Sequence, residues 1–257
     1  MGQHAAYQGY VAKQLDMLMR MTLLLMCMNA VLAQAADETP KEIHLVSERW
    51  PSFTEDDGSG VAWEVLRLVF EPAGVRVNMQ TVPYSRSVGL VRRGEADAWV
   101  GAYAREVEDV HYPRWHFDRD YVSALGLADA PEPTGEVLGN AKLVWIRGYR
   151  YERYLPGVTR FQEIQKRDTV LPMIDARRAD YFIDARVDVD MMLEQTKERR
   201  RYRVTNLLRL PLYLGFARTP AAMALADIYD ERMTQLVGSG ALRPVYERWN
   251  WEYPFDE

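Results

Sequence analysis

The stretch from Ser85 to Val100 reads SRSVGLVRRGEADAWV, and its reading decides the fold. The first part predicts a helix over Ser85–Arg93 that stops at Gly94, a residue suited to the left-handed turn that ends many helices. Glu95-Ala96-Asp97 then makes an acidic turn, and Ala98-Trp99-Val100 is a short apolar run of strand type. Upstream, Ile43–Ser47 reads as a strand, closed by the loop that carries Trp50-Pro51. Ala62, Val65, Leu66, Val69 and Phe70 keep the spacing of one helix face, and Pro72 with Gly74 stops that helix. Val75, Val77 and Met79 alternate as a second strand. The order is strand, helix, strand, helix, strand. It implies a mostly parallel sheet with helices on its faces, because parallel strands need long crossovers.

The same pattern returns downstream. Leu143–Ile146 reads as a strand, Asp168–Arg177 as a helix, Tyr181–Asp184 as a strand and Asp188–Lys197 as a helix. The run Arg92 to Trp99 is echoed by Ala176 to Phe182: a helix end, an acidic turn, then a strand bearing an aromatic residue. That echo is either a repeated unit or the chance similarity of two helix-to-strand turns.

The chain has 257 residues, 48% of them hydrophobic, enough for one large domain or two small ones. A formal charge of -5 leaves no basic stripe to neutralise a phosphate backbone, which excludes nucleic acid as a partner. Arg199-Arg200-Arg201, beside Lys197 and Glu198, reads as a solvated helix end. At the N-terminus, Arg20 precedes the apolar run Met21–Leu32, and Ala33-Gln34-Ala35 supplies the small residues that a signal peptidase requires. The expectation is a cleaved signal peptide over residues 1–35, with Ala36 opening the mature chain and translation starting at Met17 or Met19. The run has 12 residues, short of the roughly 20 of a membrane-spanning helix. Cys27, the one cysteine, lies in that run behind Met26 rather than a small residue, which disfavours lipid attachment. The mature chain then has no thiol for a disulfide, a nucleophile or a metal.

Other chemistries find no support. Asp184, Asp188 and Asp190 lack the glycine and distal glutamate of a calcium loop, and His111 and His116 have no third ligand nearby. No Gly-x-Ser-x-Gly elbow is present, and Gly58-Ser59-Gly60 and Gly238-Ser239-Gly240 read as turns. Neither a cofactor nor a metal is expected.

Five pieces, in this order, carry a resemblance: the first strand with its Trp50-Pro51 loop, Pro83-Tyr84-Ser85-Arg86, Gly94-Glu95-Ala96-Asp97-Ala98, Phe117-Asp118-Arg119-Asp120-Tyr121, and the ending Gly240 to Trp249. Together they resemble the type II periplasmic binding proteins, in particular the polar amino-acid-binding components of ABC importers (solute-binding family 3). The resemblance implies an α/β, two-lobed fold, each lobe a mostly parallel sheet flanked by helices, with two hinge crossings near Asp120–Leu127 and Leu210–Ala217. Lobe one is then residues 37–122 and 213–257, and lobe two residues 123–212. The ligand sits between them, at the carboxyl ends of the strands.

Candidate contacts follow from those strand ends. Trp50 either floors the cleft or packs on the body of the protein. Arg86, one turn into a helix, is placed either to clasp a carboxylate or to stand in solvent, and Tyr84 and Ser85 bring a hydroxyl and a helix N-terminus beside it. Gly101-Ala102-Tyr103 leads into the loop where the resemblance implies threonine and arginine donors. Here the chain departs from the family, offering Arg105, Glu106, Glu108 and Asp109. Either Arg86 or Arg105 takes over as the clasp, or the ligand carries a positive group that Glu106 meets. From the second lobe come Arg147-Gly148-Tyr149 and Asp184; the resemblance gives Asp184 the amino group of the ligand, and the residues alone make it equally a helix cap. Tyr121 and Ser123 lie on the first crossing.

The expected function is that of a non-enzymatic, monomeric periplasmic protein. It captures a small polar, amino-acid-like solute by hinge closure and delivers it to the membrane permease of an ABC importer. Two rivals share the fold: a dehydratase-type enzyme using Glu106 or Asp184 as its acid, and a sensor that reports its ligand to a membrane kinase.

Overall fold

A computed structural model of the chain describes residues 40–256; the signal peptide expected over residues 1–35, with Cys27, lies outside them. The strands are β1 (Glu42–Ser47), β2 (Arg76–Thr81), β3 (Ala98–Tyr103), β4 (Asp118–Leu127), β5 (Leu143–Ile146), β6 (Phe161–Ile164), β7 (Tyr181–Ala185) and β8 (Tyr202–Phe216). The helices are α1 (Val61–Phe70), α2 (Tyr84–Arg92), α3 (Gly135–Asn140), α4 (Val170–Asp175), α5 (Arg186–Glu194), α6 (Pro220–Ser239) and α7 (Arg243–Arg248).

The eight strands form one sheet in the order β2-β1-β3-β8-β4-β7-β5-β6. Each end of the sheet is parallel, β2-β1-β3 on one side and β7-β5-β6 on the other. They are joined through two long antiparallel strands. Eleven consecutive residues of β8, Tyr202 to Leu212, run beside β4, and Leu212 to Phe216 continue beside β3. The two halves of the fold therefore share a hydrogen-bonded ladder instead of forming separate sheets.

Local sequence explains most elements. All six residues of β3 are buried, as a central strand covered on both faces requires. In α1 the buried side chains Ala62, Val65, Leu66, Val69 and Phe70 form the predicted face. Trp99 of β3 lies on Gly215 of β8, where an added Cβ would come 2.1 Å from the indole, so only glycine permits that approach. The helix expected over Asp168–Arg177 is shorter: a 3-10 turn at Arg167–Thr169 leads into α4, and Arg177, at φ 53, turns the chain away. The helix expected from Asp188 begins two residues earlier, as α5. Gly238 and Ser239 belong to the end of α6 rather than to a turn.

The longest helix, α6, was not expected. Thr219 caps it, its side chain accepting from the amide of Ala222 at 3.2 Å, and Pro220 occupies the first helical position. Its buried face puts Tyr229 between Phe70 of α1 and Phe216 of β8, with ring centroids 6.2 and 6.1 Å away. Among the described residues no helix is long and apolar enough to cross a membrane.

Candidate functional site

Loops at the carboxyl ends of β1, β2, β3, β5, β6 and β7 converge on one cleft. The space open to the centre of a water molecule within it amounts to about 40 Å³. Its walls include the rings of Trp50, Phe53, Tyr84, Tyr103, Tyr149 and Trp251, with the carboxylates of Asp120 and Asp188.

The loop after β1 is held in shape by Thr54, whose hydroxyl donates to the carbonyl of Glu48 at 2.7 Å and accepts from the amide of Trp50 at 3.2 Å. That loop sets the Trp50 indole against the backbone of Gly101. A Cβ on Gly101 would sit 2.8 Å from the ring, and the residue, at φ +86, forms the irregularity where β3 shifts register against β8. The glycine supplies both the bulge and the room. Beside Phe53 of the loop after β1, with ring centroids 5.3 Å apart, Trp251 is fixed by Asp118, a buried carboxylate that accepts from the indole nitrogen at 2.8 Å. Tyr103 donates to Asp120 at 2.8 Å, and burial pushes the Asp120 carboxyl up to about 6.

Behind the rings lies Glu106, 1% exposed. Its Oε1 accepts from the Tyr84 hydroxyl at 2.6 Å and its Oε2 from the amide of Tyr103 at 3.1 Å. Burial outweighs these bonds and pushes its carboxyl up to about 7.

Arg167, at the carboxyl end of β6, is the cation of the cleft. Its Nε donates to Asp184 at 2.7 Å, its Nη2 lies 3.3 Å from Asp188, and its Nη1 lies 3.4 Å from Glu48. Asp184 is wholly buried and takes the shortest contact. Asp188 shares the same guanidinium at longer range, and its burial raises its carboxyl well above the usual range. Glu48 also accepts from the amide of Tyr84 at the start of α2, at 3.2 Å; burial raises its carboxyl.

These groups tie the two halves of the fold together across the cleft. Arg167 joins Glu48, and the Tyr149 hydroxyl accepts from the Trp50 indole at 3.1 Å and from Arg167 at 2.9 Å. Tyr154 and Arg153 donate to the carbonyls of Ala104 and Arg105 at 3.0 and 2.9 Å.

Solved structures share this fold. A histidine kinase sensor domain with similarity to periplasmic binding proteins superposes with a TM-score of 0.68 at 16% identity, covering 82% of this chain and 96% of that one. EhuB in complex with hydroxyectoine gives 0.68 at 19%, covering 83% and 90%. A substrate-binding protein of an ABC uptake transporter from Streptococcus pneumoniae, with bound histidine, gives 0.64 at 16%, covering 84% and 95%. The chain has the type II periplasmic-binding-protein fold. Neither a protein-family model nor a curated protein matches its sequence.

In this binding-protein fold, five of the residues singled out from sequence meet in the cleft: Trp50, Tyr84, Gly101, Tyr103 and Tyr149. Others are placed elsewhere. Ser85, Arg86 and Arg147 line an adjoining groove with Glu48, Arg49 and Lys166, which meets the cleft at Tyr84. Glu106 stands behind Tyr84 and Tyr103 and so is screened from the cleft; Arg105, at φ 66, holds an exposed side chain. Tyr121 lies under the guanidinium of Arg209, 4.9 Å from its ring centroid, and Asp184 is engaged by Arg167. Sequence reasoning passed over Glu48, Asp120, Arg167, Asp188 and Trp251. Asp188 had a usable signal, since it lies in the first turn of the helix that follows the Asp184 strand; Arg167, in a charged loop, had none. Among the described residues no group of His, Cys, Asp or Glu side chains is arranged to hold a metal ion.

Proposed function

We propose that the chain is a solute-binding protein of the periplasm that captures a small polar, amino-acid-like solute and hands it to the membrane permease of an ABC importer. One observation carries the reading: the cleft is walled by strand-end loops from both ends of the sheet and spanned by the Trp50–Tyr149 and Glu48–Arg167 contacts. Lobe one is residues 37–122 and 213–257, lobe two residues 123–212, and β4 and β8 are the hinge strands. The similar structures named for bound histidine and hydroxyectoine support a binding role. Trp50, Tyr84, Gly101, Tyr103 and Tyr149 belong to the recognition machinery, with Asp184 behind them holding Arg167.

The test is small-angle scattering with thermal denaturation on the mature chain, against amino acids, organic cations, organic acids and sugars. A bound solute stabilises by about 2.7 kcal/mol at a hundredfold excess over Kd, and closure reduces the radius of gyration. No compaction and no stabilisation with any class overturns the reading.

A sensory role is the second reading, favoured by the similarity to a histidine kinase sensor domain. Uptake of the bound solute in a deletion strain separates the two: loss of uptake supports transport, and retained uptake supports sensing.

A further inference from the structure

We propose that the cleft takes a small organic cation with an alkylated, weakly hydrated nitrogen, seated among its aromatic rings and beside Asp120 and Asp188. The inference rests on the solute-binding reading and puts an organic cation in place of the amino-acid-like ligand.

The charges decide the sign of the ligand. Among the described residues the cleft walls carry two carboxylates, Asp120 and Asp188, and no arginine or lysine. Glu48 and Asp184 add two more within the same cluster, and Arg167 is the cation set among them. Its three nitrogens are directed to Asp184, Asp188, Glu48 and the Tyr149 hydroxyl, which leaves no free fork for a ligand carboxylate. The arginines considered from sequence do not fill that role, since Arg86 and Arg147 line the adjoining groove and Arg105 is exposed. An anion would enter a site with a negative excess, and a zwitterion would bury its carboxylate unpaired, which is costly in a desolvated cleft. Burial is the main cause that raises the carboxyls of Asp120 and Asp188, with the nearby Asp184 adding to it, so a cation seated beside them would favour their charged forms.

The rings decide the kind of cation. Trp50, Phe53, Tyr84, Tyr103, Tyr149 and Trp251 surround the space, and aromatic faces attract a cation through their quadrupole. A primary ammonium surrenders strong hydration on entering such a wall. An alkylated nitrogen gives up little water and presents methyl groups that rings and Met191 can pack against.

The experiment measures binding of choline and of 3,3-dimethylbutan-1-ol, its uncharged isostere, with glutamine, glutamate and acetate as further probes. Calorimetry gives affinity and scattering gives compaction. Choline is expected to bind about tenfold or more tightly than the isostere, from the cation–aromatic and carboxylate attraction. Asp188→Asn and Asp120→Asn are each expected to weaken choline about tenfold while leaving the isostere unchanged. Circular dichroism and thermal midpoints confirm that both variants fold. Equal affinity for choline and its isostere overturns the inference. So does tighter binding of glutamine or glutamate with compaction, although the solute-binding reading would then stand. Absence of compaction with every class in the wider panel overturns both.

Discussion

Glu106→Gln is the sharpest test of the electrostatics behind the cleft. Glu106 is buried and its carboxyl is pushed from 4.5 up to about 7. The folded state therefore binds a proton more tightly than the unfolded chain, and stability falls as pH rises from about 4.5 through 7, becoming flat above it. The displacement corresponds to about 3 kcal/mol lost between pH 4.5 and 8. Glutamine mimics the protonated acid. Its oxygen accepts from the Tyr103 amide, and its amide group donates to the Tyr84 hydroxyl, whose hydrogen can turn to the Gly101 carbonyl 3.3 Å away. Glu106→Gln is expected to match the wild type at pH 5 and to exceed it at pH 8 by about 3 kcal/mol, or about 6–12 °C in Tm for a domain of this size. Some slope persists in the variant, because burial also raises Asp120 and Asp188. Urea unfolding at pH 5 and pH 8 measures both curves. Parallel losses in the two proteins, or a variant weaker at pH 8, refute the reasoning.

Three further substitutions probe the same cleft and its support. Arg167→Met leaves the wholly buried Asp184 without a counter-charge and is expected to cost about 3–5 kcal/mol in urea unfolding at pH 8, less at pH 5; a pH-independent loss under 1 kcal/mol contradicts it. Tyr149→Phe removes the acceptor of both Trp50 and Arg167, with an expected loss of about 1–3 kcal/mol and an altered tryptophan emission; unchanged stability and emission contradict it. Gly215→Ala drives a methyl into the Trp99 indole and is expected to cost about 3 kcal/mol, read as Tm, with a neutral result showing that the strands can part there.

Sequence conveyed the fold where the pattern was local. The periodicity of Ala62 to Phe70, the stop at Gly94 and the apolar run Leu143–Ile146 each marked an element within a residue or two. Helix α6 carried equally local signals, in Thr219-Pro220 at its start and Gly240 at its end, with buried residues Ala222, Leu225, Ala226, Tyr229 and Met233 on one face. Strand β8 was harder, because Pro211 and Arg209 interrupt it, and only pairing with β4 makes one strand of it. The site divides in the same way. Trp50, Tyr84, Tyr103 and Tyr149 stand at the ends of readable elements, whereas the Glu48–Arg167 pair joins positions 119 residues apart and exists only once the sheet has formed. No spacing rule reaches that far.

The electrostatic and mechanical roles of Arg167 are linked. Its bond to Asp184 lies within one side of the cleft and is short and buried, while its contact with Glu48 crosses the cleft at 3.4 Å between side chains about a fifth exposed. A pair of the second kind contributes about 0–1 kcal/mol, and each neutral cross-cleft hydrogen bond, such as Trp50 to Tyr149, contributes about 1 kcal/mol. The ties across the cleft therefore sum to a few kcal/mol, small beside the long β4–β8 ladder that the two sides share, which breaks register only at Leu207. Such a balance suits the proposed closure. The ladder keeps the halves in register, the cross-cleft ties are weak enough to break, and a cation between Asp120 and Asp188 adds attraction in the closed form alone. The Arg167–Asp184 pair lies within one side of the cleft, so opening need not break it or expose an unpaired buried charge.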